Sequence, residues 1–235
     1  MSKKLSEYLE ETDIEHSSEI EFVRIGMKLN ESIFQSASQT EKFFFAKTLT
    51  KEEIRSIITF ARRGVDYIMA DILQLSYDTG CRVMELANIT VSNIDIDSRN
   101  IQVQGKGGYI RNVNWCVSSD SIIGKFMQNN HGPLLPYKKT TIKAYSKRIF
   151  RKWAQDRAKE IKKPRKEEEV HRLSKISIHW FRHSRATHLA VIWKDVIRLK
   201  AYMGWNDVSM ANIYVNTSSQ ITAMQKYKSI DLWED

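Results

Sequence analysis

Three glycines within four residues, Gly105-Lys106-Gly107-Gly108, constrain this chain more tightly than any other feature. Glycine enters positive φ without a Cβ clash, so such a cluster between two alternating segments marks a tight hairpin. Residues 100–104 and 109–115 are those segments and read as strands, with a further short strand over 91–96. Nearly everything else has helical spacing. Thr50 followed by Glu53 makes a capping box ahead of Ile54, Ile57, Ile58 and Ala61. Ile68, Ile72, Leu73 and Leu75 fit a second helix, which Gly80 ends, and a short helix follows from Arg82 to about Asn88. Pro133 and Pro136 bracket a loop, after which a long basic helix runs over 140–163 to Pro164. The charged stretch KEEEVHRLSK (166–175) reads as an exposed, mobile connection, and helices resume near His179. The fold class expected is a mostly helical α+β domain with one small three-stranded antiparallel sheet.

Before that domain, residues 5–11 and 19–34 look helical, SQTEK (38–42) reads as a linker, and the main boundary falls between Ser38 and Thr50. The expected division is a short helical extension over 1–47 and a larger domain over 48–235. Lys and Arg number 37 against 28 Asp and Glu, a net charge of +9 that favours polyanionic partners without selecting one. The two cysteines, Cys81 and Cys116, form neither a disulfide framework nor a metal-ligand spacing, which suits a reducing compartment. The N-terminus, MSKKLSEYLEETD, is too charged for a signal peptide, and no apolar run is long enough to span a bilayer. A soluble, cytoplasmic protein is expected.

Four fragments carry chemistry. In His179-Trp180-Phe181-Arg182-His183, His179 and Arg182 share a helical face one turn apart. An imidazole beside a guanidinium suits a phosphate, one moving a proton while the other forks onto two oxygens. An isolated pair of this kind is far more often an idle surface pair. In Thr79-Gly80-Cys81-Arg82-Val83-Met84-Glu85, the cation at a helix start makes sense if an anion arrives, with Glu85 holding the guanidinium. An ordinary intrahelical ion pair is the bland alternative. Lys106 at the glycine hairpin is free to swing into a groove, but exposed turn lysines are common and in isolation carry no task. In Met203-Gly204-Trp205-Asn206-Asp207, Gly204 ends one helix and Asn206 or Asp207 caps the next, so Trp205 sits at a bend with Tyr214 further on. A lone tyrosine is more often core than nucleophile, because its phenol titrates near 10. His183 and His188 read as structural, and Cys81 as a buried, inert thiol.

Taken in order, these pieces resemble the tyrosine recombinase (phage-integrase) family: an early arginine, a hairpin lysine, H-x-x-R, a later histidine or tryptophan, and a terminal tyrosine. The matching residues are Arg82, Lys106, His179, Arg182, Trp205 and Tyr214, within YDTGCRVMELANI, VQGKGGYIRNV, IHWFRHSRATHLA and YMGWNDVSMANIYVN. The resemblance runs from about Thr48 to the C-terminus. Many members carry histidine where this chain has Trp205, and an indole donates a hydrogen bond or packs but does not relay a proton. Typical members also have a helical domain that closes a clamp around DNA, for which the 47 residues before the matching region are too few.

The resemblance implies DNA strand cleavage and rejoining. Arg82 and Arg182 would grip the scissile phosphate, Tyr214 would attack to leave a 3′-phosphotyrosine, Lys106 would protonate the leaving 5′-hydroxyl, and His179 would assist proton transfer. Because one ester replaces another, neither metal nor cofactor is needed. Implied partners are double-stranded DNA, four protomers assembled on two duplexes, and in some settings an accessory protein. Within the basic helix, Lys143, Lys147, Arg148, Arg151 and Lys152 are candidate phosphate-tracking residues. After Tyr214, Ile221, Met224 and Tyr227 or Lys228 form an apolar stripe for a tail helix, packed on its own domain or on a neighbour. Three other readings stay open: a topoisomerase-like strand transferase, a DNA-binding regulator without catalysis, and a basic RNA-binding module.

Overall fold

The computed structural model describes residues 47–64, 66–128, 131–160 and 166–216. The expected N-terminal helices, the stop at Pro164 and the tail stripe after Tyr214 lie outside the described residues. Two compact units divide the chain. The larger comprises Ala46–Ala186 with Ala201–Gly204, and the described part of the other comprises Thr187–Lys200 and residues 205–216.

The larger unit is built on α2 (Tyr67–Thr79), where Met69, Ala70, Ile72, Leu73 and Leu75 are all buried. Its ends are fixed by local chemistry. Asp66 caps the start by accepting the amides of Ile68 and Met69 at 3.0 and 3.1 Å, and Gly80 ends it at φ 62°. α1 (Lys51–Gly64) begins in the expected capping box: the Glu53 amide donates to Thr50 Oγ1 at 3.1 Å, and the Thr50 amide to Glu53 Oε2 at 3.0 Å. It buries Ile54, Ile57 and Ala61. α5 (Lys139–Glu160) buries Ile142, Ile149, Phe150 and Trp153 in the same core, with Phe150 stacked on Phe181 at 5.6 Å. Among the described residues, no helix is long and apolar enough to cross a membrane.

The sheet is antiparallel in the order β1-β2-β3: Ile94–Asp95, Asn100–Gln104 and Ile110–Asn114. The strand expected over 91–96 shrinks to those first two residues, because Val91–Asn93 forms a 3-10 turn. The cause is local. Asn93 Oδ1 accepts both the amide and the hydroxyl of Thr90, at 3.0 and 2.7 Å, and so draws that segment away from a ladder. The hairpin forms where the glycines demand it, with Gly107 and Gly108 at φ 81° and 82° around the turn Lys106–Gly108.

The exposed connection expected over 166–175 is a helix instead, α6 (Lys166–Ser174). Leu173 is fully buried, and Arg172 reaches Glu53 at 2.6 Å, which anchors a segment whose charge suggested a solvated loop. Between the sheet and α5, α4 covers Asp120–Met127 and buries Ile122, Ile123 and Phe126. α3 (Val83–Ala87) and α7 (Ile178–Trp193) carry site residues, and α8 is Val196–Met203. In the other unit, Asp207 Oδ1 accepts the Ser209 amide at 2.9 Å and starts the helical residues 208–216.

Candidate active site

The site grows from the turn between α2 and α3. Gly80 turns the chain out of α2, and Arg82 follows as the residue that caps α3. One turn on, Glu85 accepts the Arg82 amide at 2.7 Å on Oε2 and the Arg82 guanidinium at 2.7 Å on Oε1. The sequence pairing of Arg82 with Glu85 is thus met, but Glu85 has a second, two-point commitment. Arg111 on β3 forks onto it, Nη1 to Oε1 at 3.0 Å and Nη2 to Oε2 at 2.9 Å. Arg182, from the second turn of α7, brings Nη1 within 3.6 Å of Glu85 Oε2. One carboxylate therefore sits among three guanidiniums.

Access differs among them. The side chains of Glu85, Arg111 and Arg182 are 3, 4 and 6 % exposed, whereas Arg82 is 34 % exposed and forms the open edge. Two backbone carbonyls orient Arg182: Gly80 O accepts Nη1 at 2.6 Å and Met203 O accepts Nη2 at 2.5 Å. Each terminal nitrogen carries a second N–H, so the fork keeps donors beyond those two bonds. Burial pushes the Arg182 pKa down, and Arg82 and Arg111 add to that against the opposing pull of Glu85, to about 10. It remains a cation at neutral pH. For Glu85, burial acts upward and is the largest single influence, yet hydrogen bonds and charge from Arg111, with help from the Arg82 amide and Arg182, bring it to about 2. This carboxylate is ionised at every physiological pH.

His179 stands one turn before Arg182 on the same face of α7 and is solvent-accessible. Partial burial first, then the positive charges of Arg182, Arg82, Lys47 and Lys143, hold its pKa below the ordinary 6.5. The ring is neutral near pH 7 and able to accept a proton. Lys106 lies in the hairpin turn that joins β2 to β3, the strand of Arg111. In the other unit, Trp205 and Tyr214 stack with ring centroids 5.0 Å apart and planes 27° from parallel, and Tyr214 is buried. Cys81 is buried with its pKa raised by burial, so a thiolate is disfavoured. His188 is buried as well, in the other unit.

The five candidate cations of α5 are all exposed but do not form one stripe. Lys143, Lys147 and Arg151 recur every fourth residue on one flank, and the influence of Lys143 on His179 places this row beside the site. Arg148 and Lys152 form a second row. Arg148 lines a cavity of about 220 Å³ with Asp66, Tyr137, Tyr145 and Ile149. Sequence reasoning missed Arg111 and Lys47. A signal for Arg111 existed: it occupies the same face of β3 as buried Val113, where an alternating strand ought to be apolar.

Residues 47–220 match the sequence model of the phage integrase family. The chain is 27 % identical over 176 residues to the tyrosine recombinase XerD of Pasteurella multocida, covering 74 % of this chain and 59 % of that one. It is 30 % identical over 149 residues to XerD of Vibrio cholerae, covering 63 % and 49 %. It thus spans roughly half to three-fifths of the length of these curated relatives. Among solved structures, the Tn1549 transposon integrase in complex with transposon right end DNA superposes with a TM-score of 0.60 at 17 % identity, over 76 % of this chain and 65 % of that one. The catalytic domain of bacteriophage HP1 integrase gives 0.51 at 18 % identity, over 76 % and 93 %. These likenesses establish the fold as that of tyrosine recombinase catalytic domains, with the small antiparallel sheet among helices that the sequence pattern led one to expect. With the family match covering more than half of its 235 residues, the chain belongs to the phage integrase family.

Proposed function

We propose that this protein is a site-specific DNA recombinase that breaks and rejoins strands through a covalent phosphotyrosine. The observation that carries the reading is the cluster of Arg82, Arg182 and His179 around the α2–α3 turn, with Glu85 orienting Arg82 at 2.7 Å. Two guanidiniums on one phosphate offset the charge that builds on its nonbridging oxygens in the transition state, and a buried site strengthens that effect. Tyr214 Oη attacks phosphorus as its proton passes to neutral His179, and the bond to the 5′ oxygen breaks as Lys106 donates a proton to it. The products are a 3′-phosphotyrosine and a 5′-hydroxyl. A 5′-hydroxyl from a partner strand then reverses the step, restoring the phenol and joining the strands. Trp205 supports Tyr214 by packing and takes no part in proton transfer.

The DNA duplex is the proposed substrate, and α5 with its exposed cations is the proposed backbone-tracking element. Related solved structures point the same way: the Tn1549 integrase is bound to transposon end DNA, and the XerH recombinase to its difH substrate. Residues 48–235 are proposed as the catalytic domain and 1–47 as a separate N-terminal segment, with a DNA-dependent homotetramer as the working assembly and an intracellular location. A nicked suicide duplex tests the chemistry. Its short cleaved strand diffuses away and traps the covalent complex. Wild type is expected to form a protein–DNA adduct, and Tyr214→Phe to form none while still binding DNA. An adduct with the phenylalanine variant removes Tyr214 from the mechanism. A topoisomerase-like enzyme would relax supercoils yet fail to join two duplexes, which a two-plasmid recombination assay separates.

A further inference from the structure

We propose that Arg111 is a positioning residue that absorbs the charge of Glu85, so that Arg82 and Arg182 stay available to an incoming phosphate; this rests on the reading of those two arginines as the phosphate grip. Glu85 is a buried carboxylate inside a site meant for an anion, which is an electrostatic conflict. Arg111 resolves it with a two-point fork at 2.9 and 3.0 Å, using both carboxylate oxygens. Three guanidiniums against one carboxylate leave a surplus of two positive charges in the cluster. Without Arg111 the surplus falls to one, and Glu85 has only the phosphate-gripping arginines to pair with. The carboxylate then competes with the phosphate for the same N–H groups.

The surroundings hold Arg111 in this posture. Its Nε donates to the Tyr202 carbonyl at 2.9 Å, and Val103 faces it across the hairpin on the buried side of the sheet. Gly204, at φ 62°, leaves room for it: a Cβ there would lie 2.8 Å from Arg111 Cδ and 2.9 Å from Nη1. Arg111 follows the Lys106 turn along the same strand pair, so one residue joins the hairpin, α3 and the end of α8. It touches no substrate in this scheme. It acts through Glu85.

The test uses the full-length chain, wild type and the variants Arg111→Met, Arg111→Lys and Arg111→Met with Glu85→Gln, read two ways. The first is the thermal shift produced by sulfate against chloride at matched ionic strength, a phosphate surrogate that needs no strand transfer. The second is single-turnover capture of the nicked duplex. Arg111→Met is expected to weaken sulfate binding roughly tenfold and capture roughly a hundredfold. The double variant removes both charges, restores the surplus of two, and is expected to recover to within roughly tenfold of wild type in both readouts. Arg111→Lys, which keeps the charge, is expected to stay near that level. A mere core strut predicts the opposite: the double variant as impaired as the single one. That outcome in folded protein overturns the proposal, as does a wild type that sulfate fails to stabilise. If Arg111→Met does not melt cooperatively, folded Arg111→Lys with sulfate affinity lost has the same force. The sulfate pattern without wild-type capture supports the role of Arg111 and removes the strand-transfer reading; capture without the charge rescue does the reverse.

Discussion

Two groups of cations in this protein work by opposite physical rules. Arg111 and Arg182 are buried and Arg82 half-buried, around one carboxylate, with hydrogen bonds of 2.5–3.0 Å fixing their orientation. The cations of α5 are exposed and spread over two rows. A buried charge keeps its strength because little water or salt intervenes, but stripping a partner from it is costly, roughly 3–5 kcal/mol for a buried pair. An exposed charge is cheap to remove and weak individually, and salt screens it beyond roughly 10 Å at 0.1 M. The difference separates precision from attraction. Under the proposed function, the cluster supplies the rigidity to select one phosphate geometry, and α5 the reach to hold many phosphates loosely.

The sharpest way to break this contrast is at Arg182. Arg182→Ala removes a fork held by Gly80 and Met203 carbonyls, and capture is expected to slow about a thousandfold at unchanged DNA affinity. A rate within a few-fold of wild type ends the phosphate-grip assignment. Next comes pH. Because partial burial and neighbouring cations depress the His179 pKa below 6.5, the ring stays neutral at pH 7 and gains a proton only in more acid solution. Wild-type cleavage is expected to be level above about pH 6.5 and to decline below it. His179→Asn is expected to be about a hundredfold slower and to lose that acid limb. Retention of the limb moves the proton acceptor elsewhere. Glu85 does not blur the profile. Its folded pKa, near 2, lies below the ordinary 4.5, so the stability it contributes is present above 4.5 and fades only as the pH falls toward 2.

A smaller effect is expected at Gly204. Gly204→Ala meets both a positive φ and the Arg111 side chain at 2.8 Å, and is expected to cost about tenfold in capture with a lowered Tm. Gly124→Ala, with nothing within 4 Å of the added methyl and a helical backbone, is the matched control. It is expected to raise stability by about 0.5–1 kcal/mol at full activity. Equal behaviour of the two substitutions means that the contact with Arg111 carries no weight.

Much of this architecture was legible because local chemistry dictates it. The Thr50–Glu53 box, the Gly80 stop and the glycine hairpin form as their residue types require, and they place Arg82 and Lys106 in the chain path. The pairing of Arg82 with Glu85 followed from one helical turn of spacing. What stayed hidden depends on tertiary partners. Arg111 has the inward parity of Val113, but its partners, Glu85 and the Tyr202 carbonyl, arrive from distant segments. α6 hid behind its charge, since Val170 and Leu173 are its only apolar residues and Arg172 finds Glu53 119 positions away. The first half of the strand expected over 91–96 gave way to a side-chain bond between Thr90 and Asn93 that alternation does not encode. Lys47 is far from His179 in sequence, and its influence on that ring appears only once the chain is folded.

The gentlest perturbation addresses the other half of the contrast. Lys143, Lys147 and Arg151 form the row of α5 beside the site, while Lys152 shares the opposite row with Arg148 and its cavity. If the first row tracks phosphates, each alanine substitution there is expected to weaken DNA binding a few-fold at physiological salt. Each should also lower the slope of log affinity against log salt by about one, equally for all sequences. Capture at saturating DNA is expected to be unchanged, because an exposed cation adds attraction without shaping the transition state. Lys152→Ala is the internal comparison. A salt slope that falls as much for Lys152 as for Lys147 means that the entire helix surface meets the duplex rather than one flank. A fall in the saturated cleavage rate for Lys147→Ala breaks the division of labour between buried grip and exposed row.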